Sequence, residues 1–161
     1  MDFSVNKDIS FSQAGELMFS KIGTSKIMAL ATAFNDTPMV RNVSCLFYDE
    51  AIWFKTDMNF RKTAQLLRNP RVAMCWNGVQ IEGIAENRGL VIDEPGRRFE
   101  SLYKEHLWGS YNKYSHEDTE VLIHVEPRFV EVWDTSEDNY AFQIFIDFET
   151  ESVEVKQYDQ R

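Results

Sequence analysis

Apolar side chains follow two different spacings along the chain, one helical and one extended. From Phe11 to Ile22 they recur every three to four positions, and Ser10 with Gln13 forms a capping box that predicts the start of this helix. Beyond Gly23 the apolar residues come in short runs rich in β-branched and aromatic side chains, which is typical of strands. The predicted strands are residues 27–34, 39–47, 51–56, 72–76, 79–85, 121–125, 129–133, 140–148 and 153–158.

Turn residues and two more helical stretches complete this pattern. The dipeptide Asn77-Gly78 lies between two apolar runs and predicts a tight hairpin. Asn59 is predicted to cap a helix over residues 60–67, and the segment 93–95 is predicted to open another helix. About nine strands with three helices predict a mostly β fold, built as an antiparallel barrel.

The composition describes an acidic globular protein with a single domain, residues 1–161. Its hydrophobic content of 43% is sufficient for a packed core. A net charge of −9 disfavours nucleic acid and anionic membrane surfaces as partners. No apolar run approaches the roughly 20 residues of a membrane span, and the first residues lack the pattern of a secretion signal. We therefore expect a cytoplasmic protein.

Cysteine and histidine residues do not indicate a disulfide framework or a metal site. Cys45 and Cys75 lie within apolar, strand-like runs and are predicted to be buried free thiols. His106, His116 and His124 lie in three separate segments, without the spacing typical of metal ligands. The sequence therefore predicts no metal centre.

Arg61 and Lys62 form an unusual pair for this acidic chain. If Asn59 caps the helix, both cations lie in its first turn, where the helix already carries partial positive charge and acids are normally preferred. A bound anion would remove this conflict, because a helix N-terminus with free amides is a natural phosphate site. Alternatively, both side chains extend into water.

Arg41 and Thr56 extend this argument to two predicted strands. Alternation places Arg41 on the same face as Val43 and Cys45, so its guanidinium needs an anionic partner. Either an internal carboxylate or a ligand could provide it. Thr56 shares a face with Phe54 just before the predicted helix. Its hydroxyl could donate to a ligand or simply finish the strand.

Several motifs in a fixed order resemble the pyridoxamine 5′-phosphate oxidase-like FMN-binding split barrels. Residues 54–62 resemble the family's strand that leads into a helix opened by an Arg-Lys pair, and residues 66–70 resemble its Leu-x-x-Asn-Pro helix end. Residues 40–43 resemble its Arg-x-Val strand, and residues 81–83 resemble its Val-Glu-Gly strand. The likeness covers residues 27–86, and the ordered set identifies the family better than any single motif.

The resemblance implies an FMN site at the interface of a homodimer. Arg41, Arg61 and Lys62 would hold the FMN phosphate, Thr56 would lie near the flavin ring system, and the backbone of residues 42–44 would run along the ring. Lys55 stands where the family has a tyrosine. The implied cofactor-binding residues are Arg41, Asn42, Val43, Ser44, Lys55, Thr56, Arg61 and Lys62.

The function implied by the resemblance is that of an FMN-dependent oxidoreductase acting on a small molecule. The flavin would carry the chemistry, so no catalytic side chain is assigned. Phe60 replaces the family's serine, and the family's C-terminal Arg-x-His substrate motif has no counterpart in residues 157–161. Oxidation of pyridoxamine phosphate is therefore not expected. Two alternatives are a non-catalytic module that binds flavin, haem or a deazaflavin, and a structural or interaction domain whose cations are only solvated.

An aromatic cluster downstream has two interpretations. Its members are Tyr103, Trp108, Tyr111 and Tyr114. They could form a lid beside the flavin, or they could be the edge of the core or a dimer contact.

Overall fold

The computed structural model describes residues 7–113 and 118–158. Its helices are α1 (Phe11–Ile22), α2 (Arg61–Arg68), α3 (Gly96–His106) and α4 (Trp108–Lys113). Its strands are β1 (Ser25–Phe34), β2 (Thr37–Tyr48), β3 (Ala51–Asp57), β4 (Arg71–Trp76), β5 (Val79–Leu90), β6 (Glu120–Thr135), β7 (Ala141–Asp147) and β8 (Ser152–Gln157).

All strand pairings in the described sheet are antiparallel, and six of its strands close into a barrel. The sheet order is β3-β2-β1-β4-β5-β6-β7-β8, and an additional pairing between β3 and β6 closes the barrel. Strands β7 and β8 extend the sheet beyond β6, and α1 packs against this extension. The capping box of Ser10 and Gln13 is present at the start of α1. The prediction of a mostly β, antiparallel barrel is confirmed.

Alternation along β3 sends side chains into two separate cores. Ile52 and Phe54 belong to the large cluster inside the barrel, whereas Trp53 belongs to a smaller cluster on its outer face. Phe99 and Tyr103 of α3 complete that smaller cluster. Burial of these aromatic side chains fixes α3 against the outside of β3, directly beside the region of the site.

The structure corrects the predicted number of strands from nine to eight. Residues 121–125 and 129–133 belong to one continuous strand, β6, and the chain passes through Pro127 without a turn. A register shift at Gly83 of the paired strand β5 accommodates this bend. A Cβ at Gly83 would lie only 2.6 Å from Val125 Cγ1, so the two backbones approach too closely there for any other residue. Proline is tolerated in a strand at such an irregularity.

Two further expectations need correction. Cys45 is buried as predicted, but Cys75 is exposed, because the alternation that buries Val72 and Met74 turns Cys75 outward. A fourth helix, α4, was not predicted; it contains no buried residue, so it lacks the apolar periodicity that identifies a helix in a sequence. Within the described residues, no helix is long and apolar enough to cross a membrane.

Candidate functional site

A group of three cations lies where β2 meets the N-terminus of α2. Arg41 lies on the inward-facing side of β2, and its guanidinium donates hydrogen bonds to Thr32 Oγ1 at 2.6 Å and Gln65 Oε1 at 3.1 Å. Both partners are neutral oxygens. Over residues 7–113 and 118–158, no ion pair joins Arg41, Arg61 or Lys62 to a carboxylate. The internal Asp or Glu considered for Arg41 is therefore not found in the described chain.

These cations repel one another. Burial lowers the pKa of Arg41, and the nearby charge of Arg61 lowers it further. Burial also lowers the pKa of Lys62, as does the charge of Arg41, while Asp57 acts in the opposite direction. A dianionic group bound between them would offset this repulsion.

The helix that carries Arg61 and Lys62 begins without a side-chain cap. The N-cap residue is Phe60, not Asn59 as predicted, and it makes no capping hydrogen bond. Asn59 lies in the preceding turn, where its backbone N–H donates to Asp57 Oδ1 at 2.8 Å. The first amides of α2 are therefore not capped by a side chain, which leaves them available to an anion.

A cleft of about 350 Å³ opens beside this helix end, between β2 and β3. The predicted site residues in its wall are Asn42, Val43, Ser44, Lys55, Thr56 and Lys62, and the other residues are Asp57, Phe60, Tyr103 and Glu120. Arg41 and Arg61 lie outside this wall, but the charge of Arg41 acts on Lys62, and the charge of Arg61 acts on Arg41. The structure therefore brings the predicted residues into one region.

Thr56 is buried, and its hydroxyl proton is used within the protein. Thr63 Oγ1 donates its only proton to the backbone oxygen of Asp57 at 2.7 Å. The 3.0 Å contact between the hydroxyls of Thr56 and Thr63 must then be donated by Thr56. Of the two roles considered for Thr56, donation to a ligand is thus replaced by donation to Thr63, and only its oxygen remains available as an acceptor.

Lys55 differs from the other cations because, among the described residues, two carboxylates pair with it and more than offset its charge. Its Nζ lies 2.9 Å from Glu100 Oε1 and 3.0 Å from Glu120 Oε2, and its side chain is 5% exposed. The same Nζ lies 5.0 Å from the ring centroid of Tyr103. Sequence reasoning missed Glu100 and Glu120, because they come from α3 and from the start of β6, far along the chain, and no motif marks them.

Tyr103 joins the cleft wall to the two outer helices. Its hydroxyl lies close to Ser44 and Ser110, whose own hydroxyls lie 3.3 Å apart, and burial raises its pKa. A second hollow of about 340 Å³ borders residues 42–44 under Ser110 of α4. The aromatic cluster is therefore divided: Tyr103 is buried in the wall, whereas Trp108 is exposed and stacks on Tyr111. Tyr114 lies outside the described residues.

The histidines contribute no metal centre in the described part of the chain. His106 ends α3, and His124 lies in β6 with its ring 4.6 Å from that of Trp53. His116 lies outside the described residues. Among the residues that the structure describes, no group of three or more His, Cys, Asp or Glu side chains is placed to hold a metal ion.

The fold and the family follow from these features together with comparison to known proteins. A closed antiparallel barrel with few helices, opened by a cleft at the start of α2, defines the split-barrel class. The sequence profile described as pyridoxamine 5′-phosphate oxidase matches residues 16–134, which is more than half of the chain. The chain belongs to the pyridoxamine 5′-phosphate oxidase family. A comparison with curated protein sequences finds no match.

Solved structures share this fold at low sequence identity. A pyridoxamine 5′-phosphate oxidase-related, FMN-binding protein from Nostoc punctiforme is 12% identical with a TM-score of 0.57, covering 96% of this chain and 100% of its own. General stress protein 26 from Bacillus anthracis is 20% identical with a TM-score of 0.57, covering 73% of this chain and 91% of its own. The haem storage protein HutZ from Vibrio cholerae is 13% identical with a TM-score of 0.57, covering 74% of this chain and 92% of its own.

Proposed function

We propose that this protein binds FMN, with the phosphate held by Arg41, Arg61 and Lys62 at the start of α2. The observation that carries the proposal is the group of three cations, none of which forms an ion pair with a described carboxylate, beside a helix end that no side chain caps. Phosphate supplies the charge and the acceptor oxygens that such a group lacks. The Nostoc punctiforme protein of the same fold is named as FMN-binding, which supports this choice.

With the phosphate at α2, the flavin ring would extend into the cleft along residues 42–44. Bound FMN supplies two-electron chemistry, and we propose an oxidoreductase that passes electrons from a reduced donor to a small molecule. The part of the protein is to bind and orient the ring. Asn42 and Ser44 offer polar groups at the cleft wall, and Thr56 offers an acceptor oxygen.

We infer that a second copy of the chain covers the outer sheet face beside the cleft. Cross-strand pairing places Ala31 of β1 opposite Val40 of β2 and Ala73 of β4, so small, uncharged side chains share this face. Val40 is 69% exposed and Ile27 is 57% exposed. The same face of β2 also presents Asn42 and Ser44 to the cleft. A homodimer would therefore bury apolar surface and add a wall to the flavin site.

Light scattering at micromolar concentration should return the mass of a dimer, and Val40→Glu should shift it towards the monomer. Ser152→Glu, on the exposed edge strand β8, is the matched control and should leave the mass unchanged. A monomer mass for the unaltered protein would overturn the proposed dimer.

We further propose that the protein is located in the cytoplasm, in agreement with the free thiols of Cys45 and Cys75.

Haem is less well supported than flavin, although the Vibrio cholerae protein of this fold is named for haem storage. Among the described residues that line the cleft, there is no His, Cys or Met to serve as an axial ligand, and burial raises the pKa of Tyr103, which disfavours the phenolate that would bind iron. Visible absorption of the purified protein separates the two, because bound flavin and bound haem have different spectra. Spectra without any cofactor bands, even after addition of FMN, would leave the structural or interaction domain as the remaining interpretation.

The decisive experiment compares FMN with riboflavin, which lacks only the phosphate. Titration by fluorescence quenching should show FMN binding at least about tenfold more tightly, since one charge-assisted hydrogen bond contributes about 1.5–3 kcal/mol. Equal affinities would overturn the phosphate site. Anaerobic bleaching of bound FMN by a nicotinamide donor, followed by reoxidation with an acceptor, would then distinguish an oxidoreductase from a storage module.

A further inference from the structure

The two ends of the cleft differ in how their charges are balanced. At the α2 end, Lys62 lies close to Arg41, and no described carboxylate forms an ion pair with either. At the other end, Lys55 is held between Glu100 and Glu120 at 2.9 and 3.0 Å. The carboxylate-balanced end, formed by Lys55, Glu100, Glu120 and Tyr103, therefore cannot serve as a second phosphate site without losing its ion pairs.

These ion pairs are largely withdrawn from water. The side chains of Lys55, Glu100 and Glu120 are 5%, 17% and 14% exposed. An entering anion would have to draw Lys55 away from its carboxylates and would also meet their excess of negative charge. This change leaves a buried charge with a poorer partner, which is costly.

Uncharged polar groups meet no such penalty at this end. The hydroxyls of Ser44, Tyr103 and Ser110 lie close together beside Lys55, and hydroxyls both donate and accept hydrogen bonds. A carbonyl or amide oxygen can accept from this group while the ion pairs remain intact. The hollow under α4, which borders the same residues 42–44, gives the group a second open side.

We propose that the carboxylate-balanced end binds the substrate and selects an uncharged carbonyl or amide compound over anionic analogues of the same shape. This inference rests on the proposed FMN site, which uses the cationic end of the same cleft. Glu120 is the specificity-determining residue, because it both lines the cleft and balances Lys55. Tyr103 is the hydrogen-bonding residue for the substrate oxygen.

Two nearly isosteric probes, benzamide and benzoate, test this selectivity. Their binding to FMN-loaded protein is measured by ligand-observed NMR titration, which needs no turnover. Benzamide should bind about tenfold more tightly than benzoate. Benzoate binding as tightly as benzamide would overturn the proposal.

Glu120→Gln provides the sharper test, because it removes one of the two carboxylates that balance Lys55. Affinity for benzoate should rise about tenfold while affinity for benzamide stays nearly constant. Glu126→Gln is the matched control, since Glu126 lies on the same strand β6 but is exposed and pairs with Arg128 outside the cleft. An unchanged benzoate-to-benzamide ratio in Glu120→Gln would refute the role of Glu120.

Two further measurements keep the outcome unambiguous. If Glu120→Gln fails to fold by circular dichroism, Glu100→Gln is used, which removes the other carboxylate of Lys55 and should shift the same ratio in the same direction. Tyr103→Phe should weaken benzamide about fivefold, measured on protein that is saturated with FMN. Failure to bind FMN overturns the proposed function and this inference together, whereas FMN binding without probe selectivity overturns only this inference.

Discussion

Two buried or half-buried cations on neighbouring strands meet opposite surroundings. Arg41 on β2 donates to the neutral oxygens of Thr32 and Gln65, whereas Lys55 on β3 contacts the carboxylates of Glu100 and Glu120. In the described chain, no ion pair compensates the charge of Arg41, whereas ion pairs do compensate the charge of Lys55. The difference shows that a cation predicts a ligand only when its internal partners fail to balance it. Sequence alone could not separate these two cases.

The largest expected effect concerns the stability contributed by the balanced cation. Lys55→Met leaves the carboxylates of Glu100 and Glu120 without their cation in a largely buried position. We expect a loss of about 3 kcal/mol in the free energy of unfolding, measured by urea denaturation of the apoprotein. The control is Lys104→Met, which removes an exposed cation from α3, the helix that also carries Glu100. It should change the free energy of unfolding by less than about 0.5 kcal/mol.

Combining Lys55→Met with Glu100→Gln and Glu120→Gln should recover most of that loss, because the two carboxylates that lost their cation are then neutral amides. If Lys55→Met alone is as stable as the unaltered protein, the two carboxylates do not depend on Lys55 and the comparison with Arg41 fails.

The second effect concerns ligand affinity at the unbalanced cations. Arg61→Ala should weaken FMN about tenfold to a hundredfold and riboflavin very little, because only FMN carries the phosphate. Lys62→Ala should act in the same direction but somewhat less, since a guanidinium can bind phosphate through two parallel hydrogen bonds. Fluorescence titration measures both. Equal losses for FMN and riboflavin would mean that these side chains maintain the fold rather than bind phosphate.

The smallest expected effect is a pH dependence of the stability of the apoprotein. Burial and the charge of Arg41 hold the pKa of Lys62 below its ordinary value of 10.5. Between the lowered pKa and 10.5, the unfolded chain binds more protons than the folded chain, so the stability of the fold rises with pH in that window. Lys62→Met should remove this rise, as measured by urea midpoints from about pH 8 to pH 10.5.

The same pH series, repeated with bound FMN, tests whether the phosphate lies beside Lys62. If the phosphate offsets the repulsion between Lys62 and Arg41, the rise in stability with pH should become smaller when FMN is present. A rise that is identical with and without FMN would place the phosphate elsewhere.

Local patterns in the sequence were sufficient to predict most strands of the barrel. The capping box at Ser10 and the alternation of apolar residues depend on neighbours in the chain, so α1 and the strands could be predicted. The continuity of β6 could not, because Pro127 indicates a break unless the irregularity at Gly83 is known. The cap of α2 was assigned to Asn59 on residue type, whereas the fold uses Asn59 in the preceding turn.

The candidate cleft could be located from the sequence where its residues lie in a short segment. Arg61 and Lys62 are adjacent, and the motif around them indicated an anion. Glu100 and Glu120 could not be assigned, because only the packing of α3 on β3 and the pairing of β3 with β6 bring them to Lys55. The role of Tyr103 was similarly open, since an aromatic residue at helical spacing fits both a core and a cleft wall.

The seam between β3 and β6 has a consequence for the order of folding. Closing it brings Phe54 opposite Ile123 and Thr56 opposite Val121, so residues from opposite halves of the chain must meet across a long loop. Such distant pairings form late, after local hairpins such as β1–β2 and β4–β5. Lys55 and Glu120 lie on the two sides of this seam, so the carboxylate-balanced end of the cleft is assembled only when the barrel closes. Pulse-labelled hydrogen exchange should show the amides of this seam protected last, and a flavin that uses the whole cleft would then bind only to chains that have finished folding.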